Sequence, residues 1–194
     1  LSFGGSGTMA RQIDAGAPAD VVLLAAPVWM TWLRDRGAVQ ADAVVDLLGN
    51  SLVVIAPADS NIAPDPADLA GALGDARLAM GQRDAVPAGI YAREWLEVTG
   101  QWDAIAPHLA ETDNVRSALA LVARAETPLG VVYRTDALAE PQVRILYDIP
   151  QGTHSPITYP AAALSDSGAA FMAHLQSDDA RAVFARHGFK PLPE

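Results

Sequence analysis

Three short stretches carry residue types suited to one kind of chemistry. They are Phe3-Gly4-Gly5-Ser6-Gly7-Thr8, the run from Met80 to Gly89 (MGQRDAVPAG), and Asp113-Asn114-Val115. Each places small, turn-forming or capping residues just ahead of a helical pattern. A helix start leaves backbone N–H groups without partners and carries the positive end of the helix dipole. It can therefore hold an anion without any charged side chain. Taken singly, each stretch is most simply a capped helix start. The first is not a phosphate-binding Gly-Lys-Ser/Thr loop, and Gly4, Gly5 and Gly7 lack the spacing of a dinucleotide fingerprint.

Catalytic patterns are weaker. Ser6 could be a nucleophile, but the Gly-x-Ser-x-Gly elbow is incomplete, because Thr8 stands at the second glycine position. His174 and His187 fall on C-terminal helices, where surface placement is expected. No His-x-x-x-His or His-Glu-x-x-His pair occurs, which argues against a metal centre. The 194 residues contain no cysteine, so they form no disulfide and no thiolate zinc site. Asp178-Asp179 reads as a helix start.

The elements that must position these stretches follow from punctuation and periodicity. Helices are predicted over 6–16 (capped by Ser6 or Thr8), 27–37, 65–74, 86–100, 113–126 (capped by Asp113 or Asn114), 135–140, 165–177 and 178–188. Continuous apolar runs over 19–26, 51–57, 76–81, 128–133 and 143–149 have the length and character of buried strands. Residues 155–164 are extended, and their prolines suit an edge or a crossover. Strands alternate with helices almost throughout, which predicts parallel α/β sheets with right-handed crossovers. In open α/β sheets, ligands sit beyond the carboxyl ends of strands, where helices begin.

Hydrophobic residues make up 51% of the chain, enough for a packed core. With 23 acidic and 13 basic side chains the formal net charge is -10, which argues against nucleic acid and anionic membranes as partners. No run approaches the length of a membrane helix. No basic region precedes an apolar one at the start, so a secretory signal peptide is read as already removed.

At these junctions the sequence resembles the molybdate-binding periplasmic proteins of bacterial ABC transporters. The stretches that carry the resemblance are ARQIDAGAPAD, LLGNSLVVIAP, VPAGIYAREWL, DNVRSALALVARAETPLGVVY, Tyr159-Pro160 and FARHGF, in the family's order. The resemblance implies a two-lobed, type II periplasmic binding-protein fold with parallel-rich sheets flanked by helices. Lobe one is expected to hold 1–52 and 161–194, and lobe two 53–160, with a ligand cleft between them. It implies oxyanion contacts at Ser6, at the backbone N–H groups of Ala88 and Val115, and at the Tyr133 hydroxyl. These touch the oxyanion and are not direct ligands of its metal. A permease is the implied partner, the periplasm the location, molybdate or tungstate the ligand, and no cofactor or enzymatic activity is expected.

Arg83 and Arg116 flank the junctions as possible counter-ions, although the family's site uses uncharged donors. The family begins with an earlier strand and helix bearing another serine contact, so the resemblance implies a start truncated by that unit. Two other readings are an oxyanion-sensing domain of a larger regulator and a hydrolase built on Ser6.

Overall fold

The structure is a computed structural model that describes residues 1–192. It divides into two compact units, Leu1–Asn50 with Ile157–Glu194, and Ser51–Pro156. The first unit opens with α1 (Ser6–Asp14), β1 (Val21–Leu23), α2 (Pro27–Asp35) and β2 (Val44–Gly49). The second holds β3 (Leu52–Pro57), α3 (Leu69–Leu73), β4 (Leu78–Gly81), α4 (Pro87–Val98), α5 (Trp102–Ile105), β5 (Leu109–Thr112), α6 (Val115–Ala123), β6 (Leu129–Tyr133), α7 (Arg134–Ala139) and β7 (Val143–Asp148). The chain then returns to the first unit with β8 (Thr158–Ala163), α8 (Asp166–Leu175), α9 (Asp178–Arg186) and β9 (Lys190–Pro191).

The first unit's sheet has the order β1-β8-β2-β9, and each pairing in it is antiparallel. Its core gathers Ala10, Met30 and Leu33 of the helices with Val22, Leu24, Val39 and Ala162. The expected edge or crossover segment 155–164 instead supplies an interior strand. Pro160 lies opposite Asp46, where the register with β2 shifts. A shifted register needs one ladder donor fewer, and proline has none to give. The Pro160 carbonyl still accepts from the Leu24 N–H at 3.0 Å. Two of the stretches that carry the resemblance meet here as packing. Tyr159 stands edge-on to Phe189 at 5.6 Å, and Phe189 stands edge-on to Phe184 at 6.2 Å.

The second unit's sheet has the order β5-β4-β6-β3-β7. Strands β5, β4 and β6 run parallel, while β3 is antiparallel to both β6 and β7. Every residue of β3, β4 and β6 is buried, because helices cover this sheet. Val53, Ile55, Ala79 and Val132 pack against Ala118, Leu119 and Val122 of α6. Trp95 and Leu96 of α4 are likewise buried. Side chains of this size each contribute about 1.5–3 kcal/mol on burial.

The parallel-rich expectation thus needs correction. Parallel pairing is confined to β5-β4-β6, and the other described strand pairs are antiparallel. The alternation of strand and helix does give β1 and β2 the same direction, since both run antiparallel to β8. It leaves a space between them that β8, arriving about a hundred residues later, fills from the opposite direction. A buried apolar run looks the same in either polarity, so its sequence does not announce this.

Candidate functional site

Three of the four expected contact residues lie at one edge of one sheet. Gly81 at the end of β4 pairs with Thr112 at the end of β5, and β4 runs parallel to β6, which ends at Tyr133. The carboxyl ends of the three strands therefore share an edge, and each leads to a helix, β4 by way of the turn 82–86. Ala88 is the second residue of α4, Val115 the first of α6, and Tyr133 the residue that caps α7. At these positions the N–H groups of Ala88 and Val115 have no acceptor within their own helices.

Why the chain turns so tightly at Ala88 is set by two glycines. A Cβ on Gly89 would sit 2.2 Å from the Gly81 carbonyl oxygen, and a Cβ on Gly81 would sit 2.4 Å from Val86. The first turn of α4 thus presses on the end of β4 at a distance that no other residue permits. Pro87 adds a fixed φ at the first helical position and has no donor to lose. Ala88 itself is 1% exposed.

At α6 the cap is Asn114, whose side chain accepts from the Ser117 N–H at 2.9 Å. This settles the choice that the sequence left between Asp113 and Asn114. Tyr133 is buried, and its neighbour Arg134 donates its N–H to the Ser51 carbonyl at 2.8 Å.

Ser6 belongs to the other unit and is the first residue of α1. Neither it nor Thr8 caps that helix: the capping position is Gly5, with no side-chain bond. The Ser6 hydroxyl oxygen instead accepts the Ala25 N–H at 2.9 Å, one residue before the cap of α2. Gly7 makes room for this, since a Cβ there would lie 2.5 Å from the Trp29 ring. Among the described residues no imidazole or carboxylate is hydrogen-bonded to the Ser6 hydroxyl.

Both candidate counter-ions are already committed to carboxylates. Arg83 forms a two-pronged pair with Glu111, its Nε 3.0 Å from Oε1 and its Nη2 2.8 Å from Oε2. That hydrogen-bonded pairing raises the Arg83 pKa and lowers that of Glu111. The Nε of Arg116 lies 3.6 Å from the Asp136 carboxylate. Burial pushes the Asp136 carboxyl above its ordinary range, and Arg116 offsets this only in part. His174 and His187 are exposed, as expected of their helices. Among the described residues no cluster of three His, Asp or Glu could hold a metal ion.

Two α/β units, with one chain passing from the first into the second and back, are the architecture of the solute-binding class of the type II binding-protein fold. The family described as bacterial extracellular solute-binding protein matches residues 1–190, and the chain belongs to it. It is 42% identical to the molybdate-binding protein ModA of Escherichia coli, over 97% of this chain and 76% of that protein. The periplasmic molybdate-binding protein of Azotobacter vinelandii superposes with a TM-score of 0.86 at 21% identity, over 100% of this chain and 87% of the other. The sulfate-binding protein SubI of Mycobacterium tuberculosis superposes with a TM-score of 0.83 at 16% identity, over 98% of this chain and 75% of the other. At such identities the likeness is one of fold, and the fold alone does not choose between these oxyanions.

Proposed function

We propose that this protein binds molybdate or tungstate in the periplasm and delivers it to the permease of an ABC transporter. It acts as a binding protein and not as an enzyme. The observation that carries the reading is the shared edge where Ala88, Val115 and Tyr133 fall together, in a chain 42% identical to a molybdate-binding protein. On the resemblance, the Ser6 hydroxyl joins them.

Such a donor set suits a tetrahedral dianion. Backbone N–H and hydroxyl groups can each take one oxygen, and hydrogen bonds to a charged acceptor are the stronger kind. Uncharged donors leave the choice among dianions to cavity size. Arg83 is held by Glu111 and Arg116 faces Asp136, so this reading assigns neither as a counter-ion. Among the described residues, no helix is long and apolar enough to cross a membrane, and the permease is the membrane-embedded partner in this reading. The net charge of -10 opposes anion approach at long range, although salt screens most of it.

Calorimetric titration with molybdate, tungstate, sulfate and phosphate tests the proposal. Binding of the first two and rejection of the last two is the expected result. Sulfate bound as tightly as molybdate would end the size-selection argument.

A further inference from the structure

We propose that Thr112, with the Arg83–Glu111 pair beside it, braces the two turns that present Ala88 and Val115 and thereby sets which tetrahedral oxyanion fits. This rests on the site reading given above. The Thr112 hydroxyl donates to the Asn114 carbonyl at 2.8 Å and lies 3.3 Å from the Met80 carbonyl. The Asn114 carbonyl and the Val115 N–H belong to one planar peptide unit. Holding the oxygen therefore aims the hydrogen. The same bond polarises the peptide, which makes its N–H a better donor.

Met80 precedes Gly81 at the end of β4, and the Thr112 hydroxyl, with one hydrogen to give, directs it to the nearer Asn114 carbonyl. Two further contacts tie the turn before α6 to the turn before α4. The Gln82 N–H donates to the Thr112 carbonyl at 2.8 Å. Glu111 accepts the backbone N–H of Arg83 at 2.8 Å in addition to both prongs of its guanidinium. Arg83 is also seated over the Trp102 ring at 5.0 Å, which limits its swing. A bidentate pair of this kind fixes direction as well as distance. The turn before α4 and the turn before α6 are thus held at one separation. Sulfate has shorter bonds to its oxygens than molybdate, so turns that cannot close in leave it short of one donor or another. The Arg83–Glu111 pair selects by geometry and adds no net charge to the site.

The test is titration of the whole chain with molybdate and with sulfate for the wild type, Thr112→Val, Thr112→Ser and Glu111→Ala, with thermal melts alongside. Thr112→Val keeps the shape and loses the hydroxyl. It is expected to weaken molybdate about ten-fold, the loss of one hydrogen bond's aim, and to weaken sulfate less, so that the ratio of the two narrows. Thr112→Ser restores the hydroxyl and the ratio. Glu111→Ala, a change at the surface, narrows the ratio by loosening the turn before α4. A merely structural role would lower the melting temperature and leave the ratio alone, and that result for Thr112→Val overturns the proposal. Should Thr112→Val fail to fold, an unchanged ratio in Glu111→Ala overturns it equally. A wild-type chain that takes up none of the oxyanions refutes the site reading itself, and the brace with it.

Discussion

The two units use the same device at different depths. In each, a glycine in the first turn of a helix lets that turn press on a backbone carbonyl. In the second unit Gly89 of α4 meets the Gly81 oxygen, and in the first Gly168 of α8 meets the Asp20 oxygen, 2.0 Å from where its Cβ would be. The settings differ. Helix α4 buries seven of its residues, whereas α8 buries two. Around α8 the contact is secured by polar groups at the surface, with Ser165 and Ser167 both donating to the Asp20 carboxylate at 2.6 Å. The comparison teaches that the same turn can be a rigid mount or a surface joint, according to what lies behind it. Donors that must hold an ion to a fraction of an ångström belong on the rigid mount.

The largest effect should come from breaking both joints the same way. Gly89→Ala and Gly168→Ala are each expected to cost roughly 3 kcal/mol of stability, as an overpacked contact against backbone does. Only Gly89→Ala should also abolish molybdate binding, because it displaces Ala88. Melts and titrations of the two variants decide it, and equal losses of binding would erase the distinction between the units.

Next in size are the side-chain hydroxyls. Tyr133→Phe and Ser6→Ala should each weaken molybdate by roughly 1–3 kcal/mol, the range for a hydrogen bond to a charged group. Ser6→Ala also strips the Ala25 N–H of its acceptor and should lower the melting temperature as well. Unchanged affinity in Tyr133→Phe would remove that hydroxyl from the site.

The smallest effect concerns charge. Asp136, raised by burial, binds its proton more tightly folded than unfolded, so its ionisation costs stability at neutral pH. Asp136→Asn should therefore melt at a higher temperature than the wild type near pH 7. The gain should shrink as the pH falls through the raised value toward the ordinary 3.8. Asp20 in the first unit goes the other way. Its serine partners lower its pKa, so its contribution is present above the ordinary value and is lost as the pH falls through the lowered one. Melting curves across acid pH separate the two signs.

Much of this was legible in the chain, and the failures have causes. The apolar runs at 51–57 and 128–133 became β3 and β6. The glycine stops at 16, 37 and 100 all take positive φ, as a helix end demands. Helix α6 ends without such a sign, because Ala125 adopts φ 55 where glycine would be usual, and so the expected helix ran too long. Strands β2 and β5 carried no expectation: Asp46 interrupts the apolar run of β2, and β5 is four residues long with Glu111 and Thr112 in it. At the site, the helix starts at Ala88 and Val115 could be read from Pro87 and from Asp113-Asn114. Tyr133 could not, since an aromatic at a strand end is ordinary, and it came only through resemblance. Thr112 gave no signal at all: its part depends on a carbonyl two residues away and on a neighbouring strand, neither of which spacing reveals.

The Ser6 hydroxyl has one further consequence. Its oxygen already accepts the Ala25 N–H, so toward a bound ion it is set to give its proton. In the proposed site the Ala88 and Val115 N–H groups can only give hydrogen, and one of the two lone pairs of the Ser6 oxygen is already taken. An oxyanion that still carries a proton at neutral pH, as phosphate does, would bring that proton up against other hydrogens, whereas molybdate, tungstate and sulfate carry none. Two separate filters follow. In the proposed site, proton count should disfavour phosphate and bond length should disfavour sulfate, and the two arms of the calorimetric titration read them independently.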